Sequence, residues 1–306
     1  SMKDVLKETS QFLVRNDLVL IEPEKVHQDD RGQHLARRHR EVRFADPKVV
    51  AQEHEMVRDA AARKGEQEVR LDPKVVDQAI AAMEKERGFQ LSAEQRKAAR
   101  FVCAETGGVA VIEGRAGTGK TTTADAVVQA YEASGRHVIG AATGWDAAKK
   151  LEAESGITSH SITSLLGKLD KGQIKLNSKS VILIDEAGMV GTPSMKGLLD
   201  HAHAAKAKVL LQGDTLQLQS VERGAPMRAL AKEVGSVVLT DIRRQQHQAD
   251  RDTAQAFYDA GDAQLRSRQQ NVDAGKAILS RMEARGQVQG YDSREDAKKQ
   301  MVADYL

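Results

Sequence analysis

The sequence predicts an α/β fold, a mostly parallel sheet with helices on both faces, and three observations carry that expectation. From Leu91 to about Arg244, strand-sized apolar runs alternate with helical stretches, the pattern of a parallel sheet assembled from β/α units. One run, Val109-Ala110-Val111-Ile112, feeds the glycine-rich turn Gly114-Arg115-Ala116-Gly117-Thr118-Gly119-Lys120-Thr121-Thr122. Another, Val181-Ile182-Leu183-Ile184, ends on Asp185-Glu186. In open parallel sheets ligands sit beyond the carboxyl ends of the strands, which is where both the turn and the acid pair fall.

In chain order, residues 1–88 read as an N-terminal accessory region, polar and charge-rich. It carries two short apolar or alternating stretches, Leu18-Val19-Leu20-Ile21 and Glu41-Val42-Arg43-Phe44. Asp46-Pro47 and Asp72-Pro73 each open a helical pattern, running to Ala62 and Arg87, because proline suits the first position of a helix. The basic run Arg37-Arg38-His39-Arg40 reads as a solvated face. Residues 89–240 form the main α/β domain. Its strands are expected at Val109–Glu113, His137–Ala142, Val181–Asp185, Lys208–Gly213 and Val237–Leu239, with helices between them. Residues 241–306 read as the start of a further domain, helical and polar, with a strand over Gly286–Tyr291 and a last helix from Ser293.

Composition sets bounds. With 40% hydrophobic and 29% charged residues in 306, the chain has the make-up of an ordinary globular protein. No apolar run approaches the roughly 20 residues that cross a bilayer, and no signal peptide opens the chain. The expectation is a cytoplasmic protein without membrane insertion. The single cysteine, Cys103, cannot form an internal disulfide and fits a packing role in a reducing compartment. A net charge of +2 from 46 basic and 44 acidic residues gives no global pull toward nucleic acid, so any contact with it must be local.

The chemistry begins at the glycine-rich turn. GxxxxGK[ST] between a strand and a helix presents backbone N–H groups and a helix N-terminus to phosphates. This makes Gly114, Ala116, Gly117, Thr118, Gly119, Lys120, Thr121 and Thr122 the candidate residues for ATP. Lys120 is placed for the β- and γ-phosphates and the Thr121 hydroxyl for Mg²⁺. Asp185, at the tip of a buried strand, is the second metal candidate, and Glu186 can take a proton from an attacking water. A plainer reading has the two acids capping the next helix. The strand Lys208–Gly213 closes into Gly213-Asp214-Thr215-Leu216-Gln217-Leu218, whose Gln217 is a candidate sensor of the γ-phosphate. Upstream, Ser92 and Gln95 are spaced as a capping box. Gln95, one helix ahead of the phosphate-binding turn, is also a candidate for adenine.

These residues resemble those of superfamily 1 helicases of the RecD-like group, and within them the helicase region of TraA/MobA-type conjugative relaxases. Gly140-Ala141-Ala142 through Ala147-Ala148 and Leu151 are similar to motif Ia, Ser155 through Ser161 to motif Ib, Asp185 through Val190 to motif II, and Ile242-Arg243-Arg244-Gln245 to motif IV. The resemblance implies a RecA-like first motor domain and the start of a second RecA-like lobe. It also implies ATP-driven 5′-to-3′ movement on single-stranded DNA, with Mg²⁺. By the same resemblance Gln95 contacts adenine, Gln217 couples the γ-phosphate to motion, and Arg244 reaches that phosphate from the second lobe. An upstream relaxase domain and the conjugation machinery are the implied partners.

The pattern departs from the family at motif Ia, where Asp146 stands in place of a basic residue beside Trp145, the chain's single tryptophan. Trp145 can instead stack on a base, with Thr143, Thr158, His160 and Ser161 as hydrogen-bonding candidates for the DNA backbone. Nothing after Arg244 matches motifs V and VI, so a fragment unable to unwind DNA alone is expected. No histidine triad or tyrosine arrangement supports nicking. Two alternatives remain beside a conjugative motor: a stand-alone RecD-like repair helicase, and a nucleotide-regulated DNA-binding module without unwinding. A small-molecule kinase ranks behind them, having less use for Glu186 and Gln217.

Overall fold

The computed structural model describes residues 19–21, 43–115, 117–214, 224, 226–241, 252–253, 256–257, 268–288, 290–291 and 293–305. It divides into two compact units, residues 1–21 with 43–244 and residues 22–42 with 245–306. Two short strands, β1 (Val19–Ile21) and β2 (Arg43–Ala45), pair antiparallel. The helices expected after them both form: α1 (Pro47–Ala62) and α2 (Pro73–Arg87). Asp46 and Asp72 cap them by accepting from the Lys48 and Lys74 backbone N–H groups at 2.9 and 2.8 Å, relieving orphan donors of the first turn. Gly88, at φ +70°, ends α2 in the left-handed conformation that only glycine adopts without strain.

The remaining elements of the first unit are α3 (Ala93–Arg100), β3 (Val109–Gly114), α4 (Lys120–Ala133), β4 (His137–Ala142), α5 (Trp145–Ser155), β5 (Ser159–Ser161) and α6 (Ile162–Asp170). After them come β6 (Ser180–Ile184), α7 (Thr192–Ala204), β7 (Lys208–Gly213), α8 (Pro226–Val234) and β8 (Val237–Leu239). Six strands form one sheet in the order β5-β4-β6-β7-β3-β8, every pair parallel. All five expected strands are present. The sixth, β5, reads Ser-His-Ser and has no apolar signal; it is an edge strand, where polar residues are favoured.

Alternate residues of each strand enter opposite cores. Ala110, Ile112, Val138, Val181, Leu183, Leu210 and Leu239 pack with α2, α3, α4 and α5, whereas Val109, Val111, Ile139, Ala141, Ile182, Ile184, Val209 and Leu211 pack with α1, α6, α7 and α8. Burial on both faces explains the unbroken apolar runs. Helices α1 and α2 take part in this: Met56 and Ala60 lie in one core, and Val76, Ile80 and Met83 in the other.

In the second unit α9 (Arg268–Ala284) and α10 (Arg294–Tyr305) form, the latter capped by Ser293, whose Oγ accepts from the Asp296 N–H at 3.1 Å. The strand expected over Gly286–Tyr291 is not there. Its described residues are irregular, and Gly286 sits at φ +69° in the turn that ends α9, a conformation incompatible with an extended strand. The basic run Arg37–Arg40 lies outside the described residues. Among the described residues, no helix is long and apolar enough to cross a membrane.

One buried charge stands out at the amino end of the sheet. Lys208, wholly buried at the start of β7, donates from Nζ to the Thr106 carbonyl at 3.0 Å, the Thr106 hydroxyl at 2.8 Å and the Gly107 carbonyl at 3.0 Å. Burial pushes its pKa down from 10.5 to about 7, with Arg136, Arg70 and Arg63 adding to the fall and Cys103 opposing it. Because the folded value lies below the unfolded one, the unfolded chain binds more protons between them, and stability rises with pH in that window. The denaturant midpoint is therefore expected to climb between about pH 7 and about pH 8.5, below the usual thiol range. Lys208→Met should flatten the climb; equal slopes in the two proteins would refute the assignment.

Candidate active site

Three loops converge at the carboxyl ends of the strands. Following β3, the glycine-rich turn bends through Gly117 at φ +84° and Gly119 at φ +78° and enters α4 at Lys120. A side chain at Gly119 would collide with the Gln95 amide, and one at Gly114 would meet Lys120 Cγ at 2.8 Å and Thr118 Oγ1 at 2.9 Å, so bare backbone is required at both. Lys120 Nζ donates to the Gly114 carbonyl at 2.6 Å and the Arg115 carbonyl at 3.1 Å, drawing the ammonium over the turn. Thr118 Oγ1 donates to the Arg115 carbonyl at 2.9 Å. Thr121 and Thr122 lie in the first turn of α4, both half-buried. Ala116 lies outside the described residues.

Gln95 serves two contacts at once. The capping box forms, with Ser92 Oγ accepting from the Gln95 N–H at 3.1 Å and Gln95 Oε1 accepting from the Ser92 N–H at 3.0 Å. Its Nε2 meanwhile donates to the Gly119 carbonyl at 3.3 Å, placing the buried amide against the glycine-rich turn. The neighbouring Glu94, which sequence reasoning missed, accepts from the Thr240 N–H and hydroxyl at 2.9 and 2.8 Å and from the Asp241 N–H at 3.0 Å. It thereby fixes the chain leaving β8 beside the turn, where the Arg115 N–H meets the Leu239 carbonyl at 3.4 Å.

The acid pair follows β6, two strands away from β3 with β7 between them. Asp185 extends the pairing with β4, its N–H donating to the Ala141 carbonyl at 2.9 Å. Asp185 Oδ1 accepts from the Glu186 N–H at 2.9 Å and from Gln212 Nε2 at 3.0 Å. Glu186 is exposed and held at φ +52°, a left-handed conformation that costs a non-glycine residue about 1–2 kcal/mol. Its carboxylate accepts a long bond from Thr143 Oγ1 at 3.5 Å. Neither acid caps a helix with its side chain: Gly191 is the N-cap of α7, and Glu186, the N-cap residue of the short 3₁₀ turn Ala187–Met189, makes no side-chain cap bond. Gly188 allows this turn to lie against Asp214, whose carbonyl oxygen would be 2.7 Å from any Cβ there. Gln217, Arg243 and Arg244 lie outside the described residues.

The donor set suits magnesium. Asp185 and Thr121 offer hard oxygens. Mg²⁺ takes few protein ligands and completes its shell with phosphates and water.

Most of the candidate DNA residues lie at one margin of the same surface, whereas Thr158 precedes the start of β5. In register, Ala142 faces Ser161 and Ala141 faces His160, so Thr143 and Trp145, just beyond β4, stand near the end of β5. Trp145 is 64% exposed, with Lys149 Nζ 4.9 Å from its ring centroid. Lys149, not singled out in the sequence, carries positive charge one turn after Asp146. Ser161 caps α6 through the Ser164 N–H at 3.3 Å. His160 Nδ1 lies 3.5 Å from Lys168 Nζ; burial first, then Lys168, lowers the imidazole pKa, leaving it neutral near pH 7. Thr158 is exposed, its carbonyl accepting from the Gly140 N–H at 2.9 Å.

Residues 90–292 match the AAA domain family. The conjugal transfer protein TraA of Rhizobium radiobacter is 36% identical over 207 residues, 68% of this chain and 18% of the relative. That of Agrobacterium fabrum is 33% identical over 230 residues, 75% and 20%. The ATP-dependent RecD2 DNA helicase of Deinococcus radiodurans is 36% identical over 139 residues, 44% and 19%. The chain thus spans about a fifth of the length of each of these relatives.

Proposed function

This chain belongs to the AAA domain family, and from that premise we propose that it is the ATP-driven motor segment of a conjugative DNA-transfer protein, moving 5′ to 3′ on single-stranded DNA. The observation that carries the reading is the convergence of three groups at one end of a single sheet: the phosphate-binding turn with Lys120, the acids Asp185 and Glu186, and the exposed Trp145 margin. The similarity to TraA proteins and to a RecD2 helicase supports the direction of that inference.

In this reading Lys120 leaves the carbonyls of its own turn to pair with the β- and γ-phosphates, and Gln95 orients the base. Thr121 and Asp185 hold Mg²⁺, which when bound with the nucleotide neutralises charge on the phosphate oxygens. Glu186 takes the proton of the attacking water. Gln217 and Arg244 are proposed to sense the γ-phosphate. The link from Thr143 to Glu186 joins the DNA-facing margin to the proposed base.

Single-stranded DNA would cross the ends of β4 and β5, stacking a base on Trp145 and pairing phosphates with Lys149, with Thr143, Thr158, His160 and Ser161 beside them. Base–aromatic stacking contributes about 1–3 kcal/mol. Trp145→Ala is therefore expected to weaken binding of a labelled oligonucleotide about tenfold in fluorescence anisotropy at low salt, with nucleotide affinity unchanged. DNA affinity equal to that of the parent would remove Trp145 from the DNA path.

A further inference from the structure

Gln212 sits where the two halves of the candidate ATP site meet. It is the penultimate residue of β7, the strand between β3 and β6, opposite Ile112 in the register with β3. Its side chain is 1% exposed and follows the apolar run Val209-Leu210-Leu211 in the same strand. Nε2 donates to Asp185 Oδ1 at 3.0 Å, while Oε1 is buried without a hydrogen-bond partner. An unpaired buried carbonyl opposes folding, and an apolar side chain of the same shape would not carry that cost. Packing alone therefore does not account for an amide at this position.

Its effect on Asp185 does account for it. With both the Glu186 N–H and the Gln212 amide on Oδ1, the carboxylate is fixed in rotation and Oδ2 lies outside these bonds. We propose that Gln212 is a positioning residue for magnesium: by clamping Asp185 from the intervening strand, it presets the carboxylate oxygen that meets the metal of the bound nucleotide. This rests on the reading of Asp185 as a metal ligand.

Partners that orient a ligand typically change metal affinity by about 10- to 100-fold when removed. The test is Mn²⁺ binding, followed by electron paramagnetic resonance, to the protein carrying a non-hydrolysable ATP analogue. Metal-free analogue affinity in EDTA and the thermal midpoint are measured alongside. Gln212→Met and Gln212→Leu are both made, so that a packing failure in one leaves the other to decide. The expected result is Mn²⁺ affinity lower by about tenfold, with metal-free nucleotide affinity unchanged and a thermal midpoint equal or higher. Mn²⁺ affinity within about twofold of the parent, or failure of both variants to fold, would overturn the proposal in favour of a packing role. Asp185→Asn separates the two ideas: if it leaves Mn²⁺ affinity intact, the metal-ligand reading itself fails.

Discussion

Replacing Lys120 with alanine is expected to weaken ATP binding by about a hundredfold or more while leaving the fold in place. The ammonium group lies over the Gly114 and Arg115 carbonyls, from which it can transfer directly to phosphate oxygens. Each charge-assisted hydrogen bond contributes about 1.5–3 kcal/mol. Loss of two such bonds weakens binding by about 3 kcal/mol or more, which is roughly a hundredfold. Alanine is the most favourable residue for the start of α4, and the turn's shape is set by Gly117 and Gly119 rather than by the lysine side chain. Calorimetric titration with ATP and Mg²⁺, paired with a melting curve, checks both halves of the prediction. ATP affinity equal to that of the parent chain would sink the nucleotide site.

Replacing Glu186 with glutamine separates binding from chemistry. Glutamine keeps the size of the side chain, can keep the contact with Thr143, and occupies the left-handed backbone as readily as glutamate. It cannot accept the water proton. Removing a positioned general base costs about 10²- to 10⁴-fold in rate, so ATP turnover should fall to background while ATP affinity stays within about twofold of the parent. The position of Glu186 favours this role over a structural one: it is exposed, its side chain makes no cap bond, and it sits at a strained φ of +52°. Turnover near the parent rate in this variant would show that another group handles the proton.

Much of the fold was legible because burial on both faces writes a parallel strand as an unbroken apolar run. Val109–Ile112, Val181–Ile184 and Val209–Leu211 are such runs, and the glycine spacing after the first marks the turn that follows. Helices α1 and α2 were legible from their caps, Asp46-Pro47 and Asp72-Pro73. Their places in opposite cores were not, because the few apolar residues each contributes say which face is buried and not against what. Strand β5 was silent because an edge strand of Ser-His-Ser has no apolar signature. The strand expected over Gly286–Tyr291 failed for a different reason: alternation is a local pattern, and among the described residues no strand pairs with it.

At the candidate site, sequence alone singled out the residues that belong to short motifs. It missed those that act across the fold. Glu94 reaches Thr240 and Asp241 from nearly 150 residues away in sequence, and Gln212 reaches Asp185 across a sheet pairing, contacts that no linear spacing encodes. A polar residue inside an apolar strand was the available signal for Gln212, and Lys208 at the other end of the same strand carries the same signal. Lys149 was visible as a basic residue but acquires meaning only through its place over the Trp145 ring.

The central claim, that nucleotide and DNA sites act as one motor, is tested most directly by steady-state ATP hydrolysis with Mg²⁺ at low salt, measured with and without single-stranded DNA. The account predicts turnover that rises with DNA and is lost in Glu186→Gln. Tight nucleotide and DNA binding with turnover indifferent to DNA would contradict it, leaving two sites on one surface with no coupling between them.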